Sequence, residues 1–283
     1  MSMPANDEFP SMRDRIQDSV DAIRNAAGEA KSPRVAIVFG TGLTSLANDI
    51  TDAVSVPYDA IPHFPAATVE THTGELVLGK LGGCDVVAMR GRFHFYEGYS
   101  LEQITHPVRV MHALGAETLV LSNAAGGLNP KYSAGDICIL DDHINLLGTS
   151  PLVGPNDEEL GVRFPDMSQP YNQELVAAAE AIALDEGIRT HRSVYTIVSG
   201  PNLETRAEYR FLRTIGSDLI GMSTVPEAIV AAHEGLRCIA FSIVTDTCLP
   251  DALVPVSVEE IIATAAGAEP HLNTIVRRLI GEL

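Results

Sequence analysis

A short segment after an apolar run concentrates side chains that bind anions. In MRGRFHFYEGYS, residues 89–100, Arg90, Arg92 and His94 lie close together, although the whole chain has only 19 lysines and arginines. A guanidinium group binds phosphate or carboxylate through paired hydrogen bonds, and a histidine ring nitrogen adds a further donor. The alternative is a solvated turn with two core aromatic residues, but such a turn seldom combines Arg-x-His with three aromatic side chains. The segment therefore predicts an anion-binding loop.

Three further loops place small or hydroxyl-bearing residues where a strand is expected to end: FGTGLTSL (39–46), SNAAGGLNP (122–130) and GMSTVPEA (221–228). Glycines allow close approach to an anion, the N–H groups at a helix start point towards it, and the Thr41 hydroxyl adds a donor. The first loop is neither a Walker loop nor a dinucleotide fingerprint, and a plain tight turn is its alternative. In the last loop, Ser223 or Thr224 could simply cap a helix, which is compatible with anion binding because both use the same helix end.

Isolated polar residues complete the set of candidates. His72 lies in a polar segment, while Tyr195, Glu204 and Asp246 lie at or just beyond expected strand ends. A carboxylate in such a position is more often a helix cap than a ligand, and Glu204-Thr205 could form a cap. The chain has no serine in a G-x-S-x-G elbow. An anion site beside tyrosine, methionine and carboxylates favours transfer of a group to phosphate over acyl chemistry.

Helix and strand patterns alternate along the chain and must position these residues. Apolar residues three and four apart predict helices over 12–27, 101–114, 172–186, 205–216, 225–235 and 257–281, with Pro270 as a candidate break. Continuous apolar runs predict strands within 34–40, 117–127, 136–146, 193–200, 218–224 and 235–245, and a hairpin over 75–91 that turns at Gly82-Gly83. Residues 148–171 form the longest irregular stretch, which is typical of a functional loop. We expect a loosely ordered segment 1–10 and one α/β domain over 11–283, with its sheet covered on both faces.

Composition excludes several classes of protein. The 283 residues are 46% hydrophobic and carry a net charge of −18, whereas a general nucleic-acid binder needs a basic face. No apolar run reaches the roughly 18 residues that span a bilayer, and the N-terminus lacks the features of a secretory signal. The four cysteines are scattered and form no C-x-x-C pair. We therefore expect neither a nucleic-acid nor a membrane partner, and a reducing cytoplasm as the location.

Eight segments in order along the chain resemble the trimeric class of purine nucleoside phosphorylases: GTGL, GRFHFYEGYSL, LVLSNAAGGLNP, GDICILDDHINL, GPNDE, RFPDMSQPY, SGPNLETRAE and GMSTVPEAIVA. The resemblance covers about residues 34–281. It implies one α/β domain with a mixed, partly barrel-like sheet flanked by helices, assembled as a homotrimer. It also implies reversible phosphorolysis of purine (deoxy)ribonucleosides to the free base and pentose 1-phosphate, in purine salvage. Inorganic phosphate would be a co-substrate, with neither a metal nor an organic cofactor.

The resemblance also implies roles for individual residues. The phosphate site would comprise Thr41, His72, Arg92, His94, the amide of Ala124 and the hydroxyl of Ser223. The ribose would contact Tyr96, Met222 and Val258, and the base would be surrounded by Asn123, Tyr195, Leu203, Glu204, Thr245 and Asp246. Phe164, in the long irregular stretch, would reach into the site of a neighbouring subunit. The catalytic residues would be His94, Glu204 and Asp246.

Two positions depart from the pattern of members specific for 6-oxopurines. Those members have asparagine where this chain has Asp246, and many have histidine where, by gap-free counting from Thr245, this chain has Val258. An asparagine amide can donate to N7 or O6, whereas an ionised carboxylate can only accept. At the position of Asp246, related enzymes acting on 5′-methylthioadenosine have aspartate. Val258 would make the pocket around the 5′ position apolar, and such a pocket would tolerate a methylthio group. Glu204 argues the other way, because a carboxylate accepts from the N1–H of hypoxanthine or guanine but meets a lone pair on adenine.

We therefore expect inosine and guanosine as the favoured substrates. A site built around such a hydrogen bond can discriminate by about 10⁴–10⁵ when the partner is absent. Three alternatives stay open. They are phosphorolysis of adenosine or 5′-methylthioadenosine, a non-catalytic purine- or nucleotide-binding protein on the same fold, and a hydrolytic nucleosidase.

Overall fold

A mixed β-sheet organises the part of the chain that the structure, a computed structural model, describes: residues 10–28, 32–40, 44–65, 74–255 and 257–283. Within these residues the sheet has nine strands, in the order β2-β3-β4-β1-β5-β8-β7-β6-β9. The strands are β1 (Val35–Phe39), β2 (Thr51–Pro57), β3 (Glu75–Leu81), β4 (Cys84–Arg90), β5 (Thr118–Gly127), β6 (Ile137–Asn145), β7 (Thr190–Ile197), β8 (Leu219–Gly221) and β9 (Arg237–Thr247).

Strand β5 closes part of this sheet into a barrel. It pairs with β9 in parallel along its whole length and with β1 in parallel along its first half. At Gly126 and Gly127 it also pairs with β8, in the antiparallel sense. Strands β8, β7, β6 and β9 complete the ring, because β6 pairs with both β7 and β9. The predicted fold class, a mixed and partly barrel-like sheet flanked by helices, is confirmed.

Six α-helices flank the sheet within the described residues: α1 (Met12–Ala27), α2 (Leu101–Ala113), α3 (Gln173–Asp185), α4 (Arg206–Thr214), α5 (Val225–Glu234) and α6 (Val258–Gly281). Short polar side chains start several of them, as the sequence suggests. The Ser11 hydroxyl accepts from the N–H of Asp14 at the start of α1, and Ser257 does the same for α6. In the described part of the chain, none of the helices has the length and apolar character required to cross a membrane.

The structure differs from the predicted elements at three places. Strand β2 was not predicted, because Val56 is the only buried residue in it and no apolar run marks an exposed edge strand. Strand β5 continues through Ala124–Gly127, where a loop was expected, because these residues pair with β9 and, at their end, with β8. Helix α6 continues through Pro270. Its buried stripe, which includes Leu272 and Ile275, packs well enough to offset the hydrogen bond that proline removes.

Other predictions hold or fall outside the described residues. The hairpin of β3 and β4 turns at Gly82 and Gly83, whose φ angles of 59° and 88° favour glycine. Residues 148–171 contain neither helix nor strand, as expected. The predicted loose N-terminus concerns residues that, up to position 9, lie outside the described part. The same is true of two predicted phosphate ligands, Thr41 and His72.

Candidate active site

A cavity of about 390 Å³ opens beside the ends of β5, β8 and β9. Its wall contains eight of the residues that the sequence placed in the site: Tyr96, Ala124, Leu203, Glu204, Met222, Thr245, Asp246 and Val258. These residues come from six separate segments of the chain. The fold therefore brings the predicted ribose and base contacts together around one space, as expected for ligands at strand ends.

Arg92 is buried next to this cavity and is held by groups from two segments. Its Nη1 donates to the carbonyl oxygen of Ser122 at 2.8 Å and to the hydroxyl oxygens of Ser223 at 3.0 Å and Thr224 at 3.3 Å. Its Nη2 lies 3.2 Å from Oε1 of Glu227, and the two side chains are 3% and 4% exposed.

Two of the guanidinium nitrogens lack a hydrogen-bond acceptor among the described residues. Nε and Nη2 of Arg92 make no hydrogen bond to any described residue, although both are buried. Buried donors in proteins nearly always have an acceptor. A guanidinium edge whose two nitrogens lack acceptors can bind an anion through two of its oxygens, and phosphate is such an anion.

The end of β1 approaches Arg92 so closely that only glycine fits at position 40. The Gly40 amide donates to the Ser122 hydroxyl at 3.1 Å. A Cβ at Gly40 would lie 2.1 Å from the carbonyl oxygen of Ser122 and 3.2 Å from Nη1 of Arg92. The end of β1 therefore lies directly against the guanidinium group of Arg92. The approach of this segment to an anion stays a prediction.

Thr224 adopts a backbone conformation that is unusual for its residue type. Its φ of 76° is a genuine outlier for a β-branched residue. It precedes α5 as the N-cap, yet its hydroxyl makes no capping hydrogen bond. The hydroxyl instead accepts from Asn123 Nδ2 at 2.8 Å and from Arg92. Such strain persists where surrounding contacts over-determine it, so the hydroxyls of Ser223 and Thr224 belong to the Arg92 cluster and helix capping does not explain them.

The histidine of the anion-binding segment is fixed by its neighbours. The rings of His94 and Tyr96 stack, with centroids 4.8 Å apart and planes 13° from parallel. Nδ1 of His94 lies 2.8 Å from Oε1 of Glu97, and the same oxygen accepts from the backbone N–H of His94. Glu97 therefore sets the orientation of the His94 imidazole. Tyr96, whose ring stacks on that imidazole, is part of the cavity wall.

Two carboxylates share the cavity wall. Burial raises the pKa of Glu204, and the charges of Glu208 and Asp246 act in the same direction, against a hydrogen bond from Tyr209. Asp246 accepts from the Thr245 hydroxyl at 3.0 Å. Thr205 is the N-cap of α4 and pairs with Glu208 in a capping box. The carboxylate of Glu204 is therefore not used as the helix cap.

Two residues expected to contact the base lie behind the wall. Tyr195 is fully buried, and its hydroxyl accepts from the backbone N–H of Ser223 at 3.3 Å. Burial raises the pKa of Tyr195 to about 12, so the hydroxyl stays neutral. Asn123 donates to Thr224 and accepts from the Ser242 hydroxyl at 2.7 Å. Tyr195 and Asn123 are not among the residues that line the cavity, and their polar groups bond to residues behind the wall. Their contact with a base stays a prediction.

Phe164 lies on the surface in the irregular stretch and is not part of the cavity wall. It is 87% exposed, and the Arg163 guanidinium lies 5.8 Å from its ring centroid. A second depression, which His143 and Ile229 also line, contains this ring. So exposed an aromatic ring suits the predicted contact with a neighbouring subunit, which stays a prediction.

Eight residues that line the cavity were not among the predicted site residues, and Tyr209, Cys248 and Ile261 are three of them. For Cys248 a signal exists, since it lies two residues after Asp246 in extended chain and so faces the same side. No sequence signal relates Tyr209 to the cavity, because its position depends on how α4 packs. Among the residues that the structure describes, no group of three or more histidine, cysteine or acidic side chains could hold a metal ion.

Comparison with known proteins agrees with this geometry. The family model of the phosphorylase superfamily matches residues 34–281. The chain is 47% identical to purine nucleoside phosphorylase 1 of Bacillus subtilis over 271 residues, which cover 96% of this chain and 99% of that protein.

Two solved structures from Schistosoma mansoni are also similar. Isoform 2 of its purine nucleoside phosphorylase, in complex with cytosine and ribose-1-phosphate, matches with a TM-score of 0.91 at 37% identity, over 95% of this chain and 96% of that one. Its purine nucleoside phosphorylase in complex with inosine matches with a TM-score of 0.90 at 38% identity, over the same shares.

Proposed function

This chain belongs to the phosphorylase superfamily, among the purine nucleoside phosphorylases, which are glycosyltransferase-type enzymes, and we propose that it catalyses the reversible phosphorolysis of purine (deoxy)ribonucleosides. The products would be the free base and (deoxy)ribose 1-phosphate, in purine salvage. One observation carries the proposal: buried Arg92, whose Nε and Nη2 make no hydrogen bond to a described residue, donates through Nη1 to Ser223, the neighbour of Met222 in the wall of the cavity that also holds Glu204 and Asp246. A phosphate site next to a base site places nucleophile and leaving group on either side of a sugar.

The proposed reaction breaks one bond and forms one. The N9–C1′ bond stretches, its electron pair leaves with the purine, and the sugar develops oxocarbenium character. A phosphate oxygen then forms the new bond to C1′ from the opposite face, without a covalent enzyme intermediate. Arg92 positions the phosphate, whose charge also stabilises the developing cation. A donor near N7 stabilises the departing base, worth about 10²–10⁴-fold in comparable acid–base roles.

The residue roles in this proposal are those that the resemblance implies. Phosphate would be held by Thr41, His72, Arg92, His94, Ala124 and Ser223. Tyr96, Met222 and Val258 would hold the ribose, and Leu203, Glu204, Thr245 and Asp246 the base, backed by Asn123 and Tyr195. Phe164 would complete the site of a neighbouring subunit in a homotrimer. The reaction would need neither a metal nor an organic cofactor, and would take place in the cytoplasm without a nucleic-acid or membrane partner.

The preference for inosine and guanosine rests on Glu204. In its ionised form this carboxylate accepts a hydrogen bond from the N1–H of a 6-oxopurine, whereas N1 of adenine offers only a lone pair. The raised pKa of Glu204, caused first by burial, reduces this preference, because it increases the share of the protonated form that can donate to adenine N1.

A second candidate activity is phosphorolysis of adenosine or 5′-methylthioadenosine. Val258 and Ile261 line the cavity, so the wall has apolar side chains where many relatives have a histidine. Asp246 accepts from Thr245 and Cys248, and a carboxylate oxygen that accepts hydrogen bonds suits a 6-amino group as donor.

A phosphate-dependent substrate panel tests these proposals. We expect inosine and guanosine to be cleaved only when phosphate is present, with a higher kcat/KM than adenosine or 5′-methylthioadenosine. A hundredfold advantage for the methylthio substrate would reverse the ranking. Cleavage that continues without phosphate would indicate a hydrolase, and tight base binding without turnover would indicate a binding protein.

A further inference from the structure

A row of hydrogen-bonded polar side chains runs through the interior of the sheet and ends at Ser223. The hydroxyl of Ser242 donates to Oδ1 of Asn123 at 2.7 Å, and Nδ2 of Asn123 donates to Oγ1 of Thr224 at 2.8 Å. The hydroxyl oxygens of Thr224 and Ser223 lie 3.2 Å apart. The first three side chains are buried, whereas Ser223 is partly exposed. The row therefore leads from the core to its accessible end at Ser223.

The direction of the last hydrogen bond follows from what Thr224 already accepts. A hydroxyl group has two lone pairs and one proton. Oγ1 of Thr224 accepts from Nδ2 of Asn123 at 2.8 Å and from Nη1 of Arg92 at 3.3 Å, and neither nitrogen can accept in return. Both lone pairs of Thr224 are therefore occupied. Its proton is what it has left for Ser223, so Thr224 donates and Ser223 accepts.

The same count applied to Ser223 shows that its hydroxyl can only donate further. Its Oγ accepts from Thr224 and from Nη1 of Arg92 at 3.0 Å, which occupies both lone pairs. Next to it, Nε and Nη2 of Arg92 make no hydrogen bond to a described residue. Donors from two segments of the chain therefore lie together, and such a set suits an anion.

We infer that Asn123 and Thr224 are positioning residues for phosphate binding, because together they keep the hydroxyl proton of Ser223 directed to the anion. The inference rests on the proposed function, since it takes Arg92 and Ser223 as phosphate ligands. Asn123 and Thr224 act through Ser223 and need no contact with the ligand themselves.

The backbone of Thr224 supports this role. Its φ of 76° is a conformation that glycine adopts far more readily than a β-branched residue. Glycine would relieve the strain, but it has no hydroxyl to link Asn123 to Ser223. Strained residues of this kind cluster at ligand-binding sites, where the surrounding contacts hold them in place.

Thr224→Val tests the inference, because valine keeps the β-branched shape and removes the hydroxyl. The Ser223 proton then has no fixed direction, so the phosphate KM should rise about tenfold while the inosine KM stays within about twofold of the parent value. Thr224→Ser keeps the hydroxyl and should return the phosphate KM to within about twofold of the parent. Thr196→Val is the matched control, because it removes a buried threonine hydroxyl that donates to Ser217 at 2.7 Å, outside this row. It should leave both KM values unchanged.

A double-mutant cycle separates this role from an effect on Arg92, which Thr224 also contacts. Ser223→Ala removes the donated proton itself, and its phosphate KM should rise about 10–100-fold, because a hydrogen bond to a charged group is lost. If Thr224 acts through Ser223, the double variant Ser223→Ala/Thr224→Val should exceed Ser223→Ala by no more than about twofold. Asn123→Leu tests the preceding link in the same way, also in the event that Thr224→Val does not fold. It should raise the phosphate KM of the parent and leave that of Ser223→Ala unchanged.

Calorimetric titration with inorganic phosphate gives a second readout that needs no turnover. If the parent protein cleaves no nucleoside but phosphate affinity follows the same cycle, the proposed function fails and the inference stands. If the parent cleaves nucleosides while Thr224→Val and Asn123→Leu keep its phosphate KM, the proposed function stands and the inference is wrong. The inference is also wrong if the effects of Ser223→Ala and Thr224→Val on the phosphate KM multiply.

Discussion

Replacement of Arg92 by methionine should damage both phosphate use and stability, and the two effects can be separated. The Arg92 and Glu227 side chains are 3% and 4% exposed and lie 3.2 Å apart at Nη2 and Oε1. In Arg92→Met, Glu227 is left as a buried charge without its partner. Breaking a buried pair in this way costs about 3–5 kcal/mol, a large share of the about 5–15 kcal/mol by which domains are stable.

The double variant Arg92→Met/Glu227→Gln removes both charges and nearly preserves shape. We expect it to recover most of the lost free energy of unfolding, because no charge is left buried alone. Its phosphate KM should nevertheless stay high. In the proposed site, Nε and Nη2, which make no hydrogen bond to a described residue, would donate to phosphate, and hydrogen bonds to charged groups are worth about 1.5–3 kcal/mol each. Their loss corresponds to an increase in phosphate KM of about 10²–10⁴-fold.

Urea unfolding gives the free energies, and initial rates at saturating inosine and varied phosphate give the KM values. Glu227→Gln alone is the control, because it retains the guanidinium group, and its phosphate KM should not exceed that of the parent. A double variant with the parent's phosphate KM would remove Arg92 from the phosphate site. A double variant as unstable as Arg92→Met would show that the buried ion pair does not account for the loss of stability.

Two pH effects follow from shifted pKa values. Burial raises the pKa of Glu204 above its usual 4.5. Because the ionised form accepts from N1–H, kcat/KM for inosine should rise with pH along an acid limb whose midpoint lies above pH 4.5. A midpoint below that value, or a limb that persists in Glu204→Gln, would contradict the assignment. A second pH effect concerns stability, because burial lowers the pKa of His106 from 6.5 to about 4. As the pH falls, the unfolded chain is protonated at this histidine at a higher pH than the folded chain. About 3 kcal/mol of stability that is present above pH 6.5 should therefore be lost as the pH falls to 4. His106→Gln should flatten urea-measured stability over that window, and an unchanged slope would refute this.

The anion-binding part of the site could be predicted from the sequence because its residues lie in short local segments. Arg92 and His94 follow an apolar strand directly, and Ser223 follows another. Strand prediction places each of these residues just after a strand, but β4 and β8 are not neighbours and β8 is antiparallel to β5, so the contact of Arg92 with Ser223 at 3.0 Å depends on the order of the whole sheet. Glu204 and Asp246 were identified in the same way, and both line the cavity.

Contacts that depend on docking between elements were not predictable. Glu227 belongs to a helical pattern in the sequence, and its pairing with Arg92 arises only when α5 packs against α2 and β9. Tyr209 reaches the cavity through the placement of α4. The strained φ of Thr224 is likewise a result of tertiary contacts, because a β-branched residue gives no local reason to adopt it. Strand β2 was missed for the opposite reason, since an exposed edge strand has too little apolar character to stand out.

The pairing of Arg92 with Glu227 also explains how so acidic a chain can receive an anion. A net charge of −18 opposes phosphate, but exposed charges are screened within about 8–10 Å at physiological ionic strength. A buried guanidinium is screened far less, yet alone it would destabilise the fold. Glu227 balances its charge while contacting Nη2 without forming a hydrogen bond, so Nε and Nη2 keep their donors for a ligand. In the proposed site the guanidinium charge is therefore balanced before phosphate binds, and Nε and Nη2 have no hydrogen bond to a described residue that phosphate would have to replace.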